Sequence, residues 1–310
     1  MRSKESLSAT DGPPSDREVK IIKRREAWYE RRLQYLLLAP AVLLLLGLTV
    51  YPMIYAITVS LSGRRGISLE NFLRLAEDGF FLRSLLWTLA YTAVCLAIEF
   101  GLGLALALLL NTGVRGRSLF RSILLLPMML PPIVVAVIWR LMFNQDFGVI
   151  NGGLRQLGFD ISSLTWQASP TLAMFSVIVV DVWQWTPFIF LILLAGLQAI
   201  PEDPYEAAQI DGASRWQIFR DITFPLLKPA VLIALLLRTM DLFRTFDQIY
   251  ILTDGGPGFA TETISLYIYK TAYRFRDFGY AIAMSFVMLA ITTVASNIYI
   301  RVLRREQIAQ

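Results

Sequence analysis

The sequence predicts an all-α integral membrane protein with about six transmembrane helices. Three observations carry that expectation. Of the 310 residues, 55% are hydrophobic and only 17% charged, a poorer charged fraction than soluble domains keep. The apolar residues collect in six windows, each long enough to cross about 30 Å of hydrocarbon. The Lys and Arg residues gather in alternate connections, as the positive-inside rule requires.

The windows are 33–61, 84–110, 119–142, 171–197, 229–252 and 280–302. Before them, the lead from Met1 to about Asp16 is Ser/Pro/Gly-containing and aperiodic, which predicts disorder. The first apolar run is too long for the h-region of a cleavable signal peptide. The domain organisation expected is a partly disordered cytoplasmic segment over 1–32, a transmembrane domain over 33–303 and a tail over 304–310. The first and last windows are almost purely apolar. The four between them carry interruptions: Glu99; Pro127, Pro131 and Pro132; Asp181, Gln184 and Pro187; then Arg238, Asp241, Arg244 and Asp247. Interior spans that are more polar than the outer ones suggest a polar pathway through a bundle.

Lys20, Lys23, Arg24, Arg25, Arg31 and Arg32 flank the first window. Arg115, Arg117 and Arg121 follow the second, Arg215, Arg220 and Lys228 the fourth, and Arg301, Arg304 and Arg305 the last. With an even number of spans these groups share one side, so both termini are expected in the cytoplasm. Arg64, Arg65, Lys270, Arg274 and Arg276 oppose that bias. On the other side, 144–167 with its Asn-Gly-Gly and 253–259 (Thr-Asp-Gly-Gly-Pro-Gly-Phe) read as loops.

Histidine is absent and Cys95 is the single cysteine. Intrachain disulfides and Cys/His zinc sites are excluded by composition. A membrane-embedded enzyme would lack the usual nucleophile, base and metal constellations. No Gly-x-x-x-x-Gly-Lys-Ser/Thr phosphate loop occurs, so the chain has no phosphate cradle of its own for ATP. A channel or proton-coupled transporter is the rival among transport functions.

Two constellations stand out inside the membrane. Arg238, Asp241, Arg244 and Asp247 alternate in sign at spacing three, close enough for neighbours on one helix to attract. A charge near mid-bilayer costs at least about 2.5 kcal/mol. The ladder is therefore either a structural device that orients the helix or a pathway wall for a polyhydroxylated solute. Asp181, Trp183, Gln184 and Trp185 join aromatic faces to polar groups, which suits sugars; packing is the alternative. Glu99 reads as an isolated mid-span carboxylate, structural or functional.

The connection 200–226 is the most informative. Asp203 is a candidate N-cap, Pro204 a first helical residue, and Glu206 can reach back to the cap amide. Gly212 fits the residue past a helix end, in a positive-φ conformation. Ser214 with Gln217 repeats the capping arrangement, giving two short helices at a glycine elbow that end before Pro225. Ala207 and Ala208 let the first helix approach another surface closely. A hairpin resting on the membrane face is the other reading.

Glu206-Ala207-Ala208, three residues, Gly212, nine residues and Ile222-Thr223-Phe224-Pro225 resembles the EAA loop of ATP-binding-cassette importer permeases, with Phe224 where leucine is usual. Leu126-Pro127, Pro131-Pro132 with Val137-Ile138-Trp139-Arg140, the run Asp181 to Pro187, and Phe246-Asp247 followed by Thr253 to Pro257 are similar to the carbohydrate-uptake branch, which serves maltose, trehalose and glycerol-phosphate-like solutes. The resemblance extends from about Leu36 onward. It implies a type I importer permease fold in a bacterial-type inner membrane. The 200–226 loop would be a coupling helix, with Glu206, Ala207, Ala208, Asp211 and Gly212 meeting the ATPase. It also implies the partners: a second homologous permease, an ATPase dimer that holds ATP and Mg, an extracytoplasmic sugar-binding protein, the sugar itself and membrane lipid. No cofactor on this chain and no nucleic acid are expected.

Overall fold

The computed structural model describes residues 16–63, 66–111, 116–159 and 165–309. The lead before Asp16 expected to be disordered, Arg64, Arg65, Arg115 and Gln310 lie outside them. The chain divides into two compact units, Met1–Thr58 and Val59–Gln310. The first holds nearly all of helix α1 (Asp16–Ser60). Its apolar part, Gln34–Ser60, is long enough to span a membrane, and the helix begins well before that part.

The second unit opens with a two-residue hairpin, β1 (Ser62–Gly63) against β2 (Gly66–Ile67), and a short helix α2 (Glu70–Glu77). The spanning helices α3 (Gly79–Asn111) and α7 (Pro170–Gln198) pack side by side as the centre of the bundle. Gly103 makes the close approach possible: a Cβ there would stand 2.9 Å from the Ile189 side chain and 3.1 Å from the Phe190 amide nitrogen. Tyr91, Cys95, Val177 and Val180 are fully buried along this seam.

The third apolar window does not form one straight span. It is α4 (Arg117–Met129) and α5 (Pro132–Met142), bent by 95°. Leu130 is extended (φ −81°, ψ 139°), as the residue before a proline tends to be. Pro131 and Pro132 then supply no amides to continue the ladder. The 144–167 connection also differs from a plain loop, because it contains α6 (Val149–Gln156). Trp166 fastens it by donating its indole N–H to Asn151 Oδ1 at 2.8 Å.

The 200–226 segment forms α8 (Asp203–Ile210) and α9 (Arg215–Ile218). Asp203 is the first helical residue rather than the cap; Glu202 holds the cap position without a side-chain bond. The second helix does not stop before Pro225. It passes through a π-helical turn, Phe219–Thr223, into α10 (Phe224–Phe243), making one continuous path over Arg215–Phe243.

The fifth window also breaks. After Phe243 the chain leaves the helix through Arg244, Thr245 and Phe246 and resumes as α11 (Asp247–Leu252). The four-charge ladder therefore does not lie on one helix. The carbonyls freed by the break are taken up elsewhere: Phe243 O accepts from Ser265 Oγ at 3.0 Å and Thr245 O from Thr263 Oγ1 at 3.3 Å. Non-helical backbone at membrane depth persists only where such partners exist.

Past the 253–259 turns, α12 (Ile264–Tyr269) and a π-helical turn over Lys270–Arg274 lead to α13 (Phe278–Ala309). Asp78 ties this end together. Its carboxylate accepts from the Phe80 and Phe81 amides at the start of α3 and from the Tyr267 and Tyr280 hydroxyls at 2.8 and 2.6 Å. Burial alone would raise the Asp78 carboxyl, but the Tyr280, Tyr267 and amide hydrogen bonds hold it below its usual range.

Candidate functional site

The two helix breaks face each other. Gln184, buried on α7, donates its amide to Leu130 O at 2.8 Å, the carbonyl stranded where α4 meets α5. Its own Oε1 accepts from Gln248 Nε2 at the start of α11. One side chain thus spans both interruptions, which answers for its polarity at that depth.

Beside this bridge lies a cavity of about 120 Å³, lined by Pro132, Asp181, Trp185, Arg238, Asp241 and the segment 244–248. Arg238 is its electrostatic centre and is only 1% exposed. It donates to both oxygens of Glu99 at 2.8 and 2.9 Å, to Asp181, and to Asp241 at 3.2 Å. Its guanidinium also sits 5.1 Å from the Trp185 ring centroid, a cation–π contact. Three spans, α3, α7 and α10, are therefore held by one cation. Two polar atoms here stay without a hydrogen-bond partner, Asp181 Oδ1 and Gln248 Oε1, although both residues are at least 98% buried.

Of the pathway residues expected from sequence, the cavity collects Asp181, Trp185, Arg238, Asp241, Arg244 and Asp247. Gln184 stands behind its wall as the bridge just described. Trp183 points elsewhere; it is 42% exposed and meets Trp139 edge-on with centroids 5.6 Å apart. Within the charge ladder only Arg238 with Asp241 forms an ion pair. Glu99 is not isolated: it is the principal partner of Arg238 across 139 residues of sequence. The signal for this was a lone carboxylate in each of two apolar windows, Glu99 and Asp181, beside a basic residue deep in a third, Arg238, which the cost of a lone buried ion forces together.

At the opposite end of α7, the α8–α9 hairpin closes as a Schellman motif. Ala213 N donates to Ala208 O at 2.9 Å and Gly212 N to Gln209 O at 3.1 Å. Gly212 has φ +75°, as expected of the elbow. Ser214 and Gln217 form the reciprocal capping box. Glu206 faces a cavity of about 610 Å³ with Arg117, Tyr205 and Gln209. Ala207, Asp211 and Gly212 are exposed and Ala208 partly so. Ile210 is 86% and Trp216 65% exposed, an apolar pair at the hairpin tip. Tyr205 Oη bonds Thr223 Oγ1 at 3.2 Å, joining α8 to the turn that precedes α10. Among the described residues no group of three or more His, Cys, Asp or Glu is placed to hold a metal ion.

Comparison with known proteins agrees with this architecture. The chain is 40% identical over 288 residues to the trehalose/maltose transport system permease protein MalF of Thermococcus litoralis, covering 91% of this chain and 95% of that one. It is 37% identical over 280 residues to the trehalose transport system permease protein SugA of Mycobacterium tuberculosis, covering 88% and 89%. A crystal structure of a bacterial ABC transporter involved in the import of the acidic polysaccharide alginate contains a chain of the same fold. Its TM-score is 0.79 at 26% identity, covering 94% of this chain and 99% of that one. A family model described as the inner membrane component of binding-protein-dependent transport systems matches residues 99–307. The chain belongs to that family of inner membrane transport components.

Proposed function

We propose that this chain is the permease subunit of an ATP-driven sugar importer, forming half of the translocation pathway beside a second, homologous permease. One observation carries the reading. The exposed hairpin and the wall of the polar cavity belong to one continuous path, from Arg215 through α10 to Arg238 and Asp241. A push on α8 reaches the cavity through Gly212 and through the Tyr205–Thr223 bond. The exposed Ile210 and Trp216 suit docking to an ATPase dimer, which holds ATP and Mg and does the hydrolysis. Glu206, Ala207, Ala208, Asp211 and Gly212 are the coupling contacts in this reading. A sugar is supported as cargo by the names of the relatives and by an aromatic face set among hydrogen-bonding groups. An extracytoplasmic sugar-binding protein delivers it.

The test is reconstitution. The chain, co-expressed with its second permease and an ATPase, should co-purify with both. Vesicles loaded with ATP should then take up labelled sugar when the binding protein is supplied outside. Failure to hold an ATPase, together with uptake that follows a proton gradient instead of ATP, would favour a proton-coupled transporter or channel.

The orientation is equally testable. With the basic connections inside, a reporter active only outside the cytoplasm should give signal after Leu157 and none after Gln310. The opposite pattern would reverse the topology.

A further inference from the structure

The charge of the cavity bears on which sugars it accepts. Its walls hold three carboxyl groups, Asp181, Asp241 and Asp247, against two guanidinium groups, Arg238 and Arg244. A fourth carboxyl, Glu99, stands directly behind Arg238. The Arg238 guanidinium gives four of its five N–H groups to Glu99, Asp181 and Asp241, and these three carboxylates outweigh its single positive charge. That leaves Arg244, exposed at the helix break and without a hydrogen bond or ion pair to any described side chain. Asp247, three residues on at the start of α11, shares the same wall. The wall carboxylates that open onto the space, exposed Asp241 and part-exposed Asp247, are oxygen acceptors, whereas Asp181 Oδ1 and Gln248 Oε1 are themselves fully buried. An oxygen acceptor seeks a donor such as a hydroxyl, and repels a carboxylate, phosphate or sulfonate.

We propose that this cavity selects uncharged sugars and excludes acidic ones, with Asp241 and Asp247 as the residues that impose the exclusion. The proposal rests on the importer reading given above and adds the charge class of the cargo. Acidic walls around a small space focus a negative potential, and an anion entering it meets repulsion from each of them. A neutral polyol instead donates hydroxyls to the Asp241 and Asp247 carboxylates, lays a C–H face on Trp185 and leaves the Arg238 network intact. The fold itself does not dictate this choice, because the alginate importer of the same fold is described as carrying an acidic polysaccharide.

The experiment uses the complete complex of both permeases and the ATPase in detergent, without the binding protein, so that the selectivity of that protein is set aside. Trehalose, maltose and a matched pair, digalacturonic acid and its uncharged dimethyl ester, are titrated against tryptophan fluorescence at low and high salt. A neutral member of the set should bind, and the ester about tenfold or more tighter than the acid, whose two carboxylates meet an unfavourable field at partial burial. The gap should narrow in high salt. Asp241→Asn combined with Asp247→Asn should narrow it further, while Arg244→Gln should widen it. Binding of the acid as tightly as its ester would overturn the proposal. So would ATP-driven uptake of neutral sugars by a complex that binds none of them directly, since the cavity would then not be where sugars are chosen. If no sugar of either class is carried, the importer reading falls, and this inference with it.

Discussion

Arg238→Met is expected to remove most of the folded protein from the membrane. The side chain is 1% exposed and holds Glu99, Asp181 and Asp241 at once. Methionine fills much of the same volume, so lost packing is a small part of the effect. What remains is two carboxylates, Glu99 and Asp181, buried without a counter-ion. Breaking a buried pair from one side costs about 3–5 kcal/mol, a large share of the stability of an ordinary domain. The same physics predicts a rescue. Adding Glu99→Gln and Asp181→Asn to Arg238→Met removes every buried charge of the triad and should restore much of the loss. Asp241 differs, because its side chain is 53% exposed. Asp241→Asn should change stability by less than about 1 kcal/mol and act on solute selection instead. The measurements are quantitative membrane levels and thermal unfolding in detergent for the single, triple and Asp241 variants. An Arg238→Met protein that accumulates and melts like the parent would show that the triad does not hold the three spans together.

The contrast between Glu99 and Gly212 shows which features a sequence can display. Gly212 and its neighbours are governed by contacts within a few residues: the two Schellman bonds close over 208–213 and the Ser214–Gln217 box over four residues. Local rules reach that far, and the elbow could be read in advance. Its two outer ends differ from the local expectation: the cap is Glu202 instead of Asp203, the usual uncertainty at a helix end, and the second helix runs on through Pro225 into α10. Glu99 is governed by Arg238, on a different span. Spacing along one helix cannot reveal such a partner. The regular three-residue spacing of Arg238, Asp241, Arg244 and Asp247 instead invited a helical ladder. Only the first pair sits within a helix; Arg244 caps it and Asp247 starts another.

The two breaks were unequally visible for a related reason. Pro131-Pro132 announces the first, because both residues lack the amide that a helix needs. The second, at 244–246, contains neither proline nor glycine. It is maintained by Ser265 and Thr263, which take the freed carbonyls, and by Gln248 bound to Gln184. Those are tertiary partners. The cavity forms where the two breaks meet, so its residues were individually conspicuous while its outline was not.

Gly212→Val is expected to leave the chain inserted in the membrane but to disconnect ATP hydrolysis from uptake. Gly212 sits at φ +75° at the tip of the α8–α9 hairpin, and a Cβ built there meets nothing within 4 Å. Any penalty therefore comes from the backbone conformation, since no neighbour would clash. A left-handed conformation costs a residue with a side chain about 1–2 kcal/mol, and most for a β-branched one. Asparagine tolerates the same region, so Gly212→Asn should be mild and Gly212→Val severe. Relief of that strain would re-aim α8 relative to α9, and with it the exposed Ile210 and Trp216 surface. The cavity near Arg238 lies at the far end of α10 and should keep its sugar affinity. The complex of each variant is purified, its bound ATPase quantified, and solute-stimulated hydrolysis compared with uptake into vesicles. The expected order of coupling is parent, then Asn, then Val, with unchanged membrane levels throughout. Equal coupling in all three would mean that the hairpin does not carry the stroke. A loss that appeared in Asn as strongly as in Val would point to a side-chain obstruction in the docked complex instead of the backbone strain argued here.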